Sequence, residues 1–82
     1  MLKIKNSLCI EDTQNFIKWY YITKLNVVNV LDIKYSFVTD MFEVVYLAVN
    51  KDKILETQTD KVHRNNIVKL MEKYKEDSPW TL

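Results

Sequence analysis

No glycine occurs anywhere in the 82 residues of this chain, and that absence closes off a group of functions at once. Loops that wrap phosphates, nucleophile elbows and dinucleotide turns need backbone with positive φ, or backbone so close to a ligand that no Cβ fits. Sites of that kind are not expected here. Cysteine occurs once, at Cys9, which excludes an internal disulfide and a zinc site built from several thiolates; Cys9 reads as a small buried hydrophobe. Proline also occurs once, as Pro79 near the end. No uninterrupted apolar run approaches the roughly 20 residues of a membrane span, and the start Met1-Leu2-Lys3-Ile4-Lys5-Asn6 carries no apolar stretch of signal-peptide length. The expected setting is the cytoplasm, with no membrane partner.

An excess of one charge is missing too. Twelve Lys and Arg stand against eleven Asp and Glu, a formal charge of +1, so no overall field pulls the molecule onto nucleic acid or anionic lipid. What is present is ordinary globular material, 48% hydrophobic and 28% charged. A chain of this size supports one domain, 1–82, with 76–82 as a short tail, and buries only about 60–65% of the surface of its unfolded form. A partner subunit would help it. The abundance of Lys, Asn and Ile suits an A/T-rich genome and suggests an accessory protein of a phage or mobile element.

The pattern predicts an α+β domain in the order β-α-β-β-β-α, with a three- to four-stranded, mainly antiparallel sheet and two helices. Leu2, Ile4, Leu8 and Ile10 alternate with polar residues as a first strand would. Asp12 can cap a helix over 13–24 whose Phe16, Ile17, Tyr20 and Tyr21 share a face. Two strands then flank a turn at Thr39-Asp40, and a two-residue turn would pair Phe37 with Phe42 and Ile33 with Tyr46. One face would collect Val27, Leu31, Ile33, Tyr35, Phe37, Phe42, Val44, Tyr46 and Ala48. The other would hold Val28, Val30, Val45, Leu47 and Val49 at one end, with Asp32 opposite Leu47 and with Lys34 and Glu43 as diagonal neighbours in its polar middle. A short strand over 54–57 follows, then a helix capped by Thr59 or Asp60 and stopped at Ser78-Pro79.

No constellation points to catalysis, a metal or a cofactor. Cys9 and His63 are the one nucleophile and base pair on offer, and neither an orienting group nor oxyanion donors accompany them; His63 suits a surface or helix-capping role. There is no CxxC, HxxxH or calcium-loop spacing. Double-stranded RNA-binding domains share the order α-β-β-β-α and touch phosphates from the start of their last helix. Here Lys61, Arg64, Lys69 and Lys73 are the candidate nucleic-acid contacts, diluted by Asp60, Glu72, Glu76 and Asp77. RNA binding is therefore the alternative reading.

The leading expectation rests on the second sheet face. An apolar patch of Val28, Val30, Val45, Leu47 and Val49 is large for so small a domain, and such patches mark interfaces. Trp19 at the boundary of the helical stripe and Trp80 in the tail are further candidate contacts. The expected protein is a non-enzymatic regulator or inhibitor, a homodimer acting by protein–protein interaction on a larger partner.

Overall fold

The computed structural model describes residues 10–79. Within them the order is helix α1 (Ile10–Thr23), strands β1 (Asn29–Ser36), β2 (Met41–Val49) and β3 (Leu55–His63), and helix α2 (Arg64–Lys73). The strands form one antiparallel sheet in the order β1-β2-β3. The expected α+β architecture is present. The first strand expected from Leu2, Ile4 and Leu8 lies outside the described residues, but Ile10, which shared its alternation, opens α1.

Each helix forms around an apolar stripe. In α1, Thr13, Phe16, Ile17 and Tyr21 are buried, and Glu11 and Asp12 place negative charge at the positive end of the helix dipole. The helix ends with Asn26 in left-handed geometry at φ 58°, a role glycine would normally take. Helix α2 buries Ile67 and Met71. Both stripes meet Phe42 and Val44 of the central strand in one core, flanked by Val30, Ile33, Tyr35, Tyr46 and Val62. Both helices therefore cover the same sheet face.

The pairing differs from the expected register in two ways. Tyr35 lies opposite Phe42 and Ile33 opposite Val44, because the turn between β1 and β2 spans 37–40 instead of two residues. A two-residue hairpin turn of the favoured type needs positive φ at both central positions, and of Thr39 and Asp40 only Asp40 has it, at φ 57°. The shift is by two, so the faces of the paired region survive. Phe37, expected in the core beside Phe42, is left at the tip with 81% of its surface exposed.

The second difference is a bulge between Val30 and Asp32, which shifts the register by one. Val30 turns to the core, and Leu31, expected there, is half exposed. Asp32 pairs with Val45 and not Leu47, and Lys34 sits directly opposite Glu43 and not diagonal to it. Strand β3 is also longer than the expected 54–57 and runs to His63. Its β-branched Thr57 and Thr59 keep the chain extended where a helix cap was expected, and His63 caps α2 instead, its Nδ1 accepting the Asn65 N–H at 3.1 Å.

Candidate interaction surface

With both helices on one side, the other side of the sheet carries no layer among the described residues. Register gives its composition row by row. Ser36, Met41 and His63 lie across the turn end, followed by Lys34, Glu43 and Lys61, then Asp32, Val45 and Thr59, then Asn29, Leu47 and Thr57, and finally Val49 with Leu55. One half is therefore charged and the other apolar. Val49 and Leu55, paired at the apolar end, keep 52% and 56% of their surface exposed. At the charged half, Lys34, Glu43 and Lys61 border a hollow of about 270 Å³ that reaches Tyr35, Met41 and Phe42.

Of the expected contacts, Val45, Leu47 and Val49 do share this face. Val28, just before β1, is half exposed, with its N–H donating to the Leu47 carbonyl at 2.8 Å, but the register does not place it on this face. Val30 does not belong, because the bulge turns it into the core. Trp19 belongs to the helical layer. Its ring lies 5.7 Å from Phe16 and 6.2 Å from Tyr74, and Lys24 Nζ sits 5.6 Å from its centre. Cys9 and Trp80 lie outside the described residues. Leu55, opposite Val49, was missed because it was read as part of a short edge piece.

Two acids organise the polar contacts. Asp40 Oδ1 accepts from Tyr35 OH at 2.5 Å and from Arg64 Nε at 2.8 Å, while its carbonyl accepts the Arg64 N–H at 2.9 Å. The Arg64 guanidinium, followed by the Tyr35 hydroxyl, holds the Asp40 carboxyl below its ordinary range. On the helix-covered face, Asp60 accepts from Tyr21 OH at 2.8 Å and from Tyr46 OH at 3.3 Å. Neither cluster was legible in the sequence, since each joins residues far apart in the chain.

Burial, followed by the bond to Asp60, raises the Tyr21 phenol well above its usual 10.0, and Tyr46 is raised by burial and the Asp60 charge. Folding thus favours the neutral phenols. The stability they contribute is complete below pH 10 and is lost as the pH climbs from there towards the raised folded-state values. Unfolding free energy measured by urea titration should fall with pH above about 10, and less steeply in Tyr21→Phe. Equal slopes in the two proteins would contradict this assignment.

The candidate nucleic-acid contacts do not form one strip. Lys61 is on the bare sheet face opposite Glu43, and Arg64 is tied to Asp40. Lys69 and Lys73 are exposed on α2. Arg64 and Lys73 stand at opposite ends of that ten-residue helix, where 3.6 residues per turn puts them on opposite sides. His63 is occupied as the cap of α2. Among the described residues no group of three or more His, Cys, Asp or Glu is placed to hold a metal ion, and no helix is long and apolar enough to cross a membrane. Comparison with protein families, with curated proteins and with solved structures finds no match.

Proposed function

We propose that this is a non-enzymatic interaction protein of the cytoplasm that regulates or inhibits a larger protein by binding it through the apolar half of the bare sheet face. The observation that carries the reading is the division of that face, with Val45, Leu47, Val49 and Leu55 gathered at one end and Lys34, Glu43 and Lys61 at the other. Apolar area flanked by charged residues is a common feature of protein interfaces. The scattered cations weigh against the alternative of an RNA-binding module, which keeps only the element order in its favour.

Val45→Lys places a charge in the apolar half, at its boundary with the charged row, without touching the buried core. A protein partner retained by the wild-type chain should be lost by Val45→Lys, should survive high salt, and should be unaffected by Lys61→Ala plus Arg64→Ala. If nucleic acid co-purifies instead, is stripped by salt and disappears in the Lys61→Ala plus Arg64→Ala protein, the RNA reading replaces this one.

A further inference from the structure

The two edges of the sheet are treated differently. Edge β1 is interrupted by the bulge at Leu31, and helix α1 lies along it, with Gln14 Nε2 donating to the Ile33 carbonyl at 3.2 Å. Bulges and covering elements are standard protection against strand addition. Among the described residues, edge β3 has neither. Its nine residues pair with β2 in unbroken register, it contains no proline, and every residue over 55–59 is exposed. Helix α2 leaves from the far end, after His63, so no element among the described residues covers 55–59.

We propose that β3 is a homodimer interface in which two copies pair antiparallel over 55–59, with the two-fold axis at Thr57. In this register Leu55 lies opposite Thr59 of the second copy, Thr57 opposite Thr57, and Glu56 opposite Gln58. No like charges face each other directly. The Gln58 amide already donates to its own Glu56 at 3.2 Å; with two N–H donors it has one left for the Glu56 carboxylate across the interface. The even register keeps the helices of both copies on one side of a six-stranded sheet. It also brings the Leu47, Val49, Leu55 and Thr57 ends of the two bare faces together, doubling the apolar floor. The sequence places self-association on the face around Val45; the edge assigns it elsewhere and leaves that face free for another protein.

Light scattering should give twice the 9.9 kDa chain mass. In a Cys9→Ser background, Thr57→Cys should form an intermolecular disulfide under mild oxidation, because directly opposed Cα atoms stand about 4.5–5.5 Å apart, inside disulfide range. Thr59→Cys should not, since its mate would be displaced about 13 Å along the strand. Val45→Cys, on the face, should not either. All three sites are on the sheet surface, and circular dichroism checks that the fold is kept. A monomer mass at every concentration overturns the proposal, as does crosslinking through Val45→Cys or Thr59→Cys in place of, or as readily as, Thr57→Cys. Crosslinking of Thr57→Cys should persist in Val45→Lys, so failure of the dimer and failure of the partner surface are separable.

Discussion

Phe42→Ala should remove most of the stability of this domain. Phe42 lies in the central strand, is fully buried, and touches the Tyr35 ring at 4.8 Å between centroids. Among the described residues the core it shares with α1 and α2 has seven buried hydrophobic members, so neighbouring side chains have little freedom to fill the gap. Truncating a buried phenylalanine costs about 3–5 kcal/mol, against a total of roughly 4–12 kcal/mol for a chain of this length at 0.05–0.15 kcal/mol per residue. A urea unfolding curve would show the midpoint falling towards zero denaturant. Phe37→Ala is the matched control: at the exposed turn tip it should change stability by no more than about 0.5 kcal/mol. A large loss for Phe37→Ala with a small one for Phe42→Ala would mean that the two-residue turn, with Phe37 in the core, is correct.

Asp60→Ala should be the most damaging change to a polar residue. It removes the acceptor of the Tyr21 hydroxyl, whose residue is only 4% exposed, while the Tyr46 hydroxyl keeps the Gln58 carbonyl at 3.2 Å. A buried donor left without an acceptor costs about 1–3 kcal/mol, which for a domain of this size is a drop of about 4–8 °C in Tm per kcal/mol. The mechanism predicts strong coupling. In a Tyr21→Phe background there is no hydroxyl to orphan, so Asp60→Ala should cost much less there. A double-mutant cycle by thermal unfolding decides it, and additive losses would show that Asp60 acts by some other route.

How far the sequence could be read follows from the range of each interaction. The apolar stripe of α1 and the alternation of β2 are local periodicities, and they place Phe16, Ile17, Tyr21, Phe42 and Val44 where the structure has them. The bare face is legible for the same reason at Val45, Leu47 and Val49. Where one residue breaks the period, as Leu31 does in β1, the strand residue just before it, Val30, is assigned to the wrong side. The end of β3 was misjudged because Thr59 and Asp60 suit a helix cap as well as a strand; the choice was made by pairing with Val44 and Val45 and by the tyrosines that Asp60 meets. Turn length and the Asp40 and Asp60 clusters depend on residues distant in the chain, and no local pattern encodes them.

The bond between Asp40 and Arg64 also bears on hydrogen exchange. The first amides of a helix have no partner within it and ordinarily trade their hydrogens with water almost freely. Arg64 opens α2, yet its amide is held by the carbonyl of a hairpin turn 24 residues earlier. Its exchange therefore reports on the separation of hairpin from helix, and a single protected signal at a helix start becomes a clock for the opening of the whole domain.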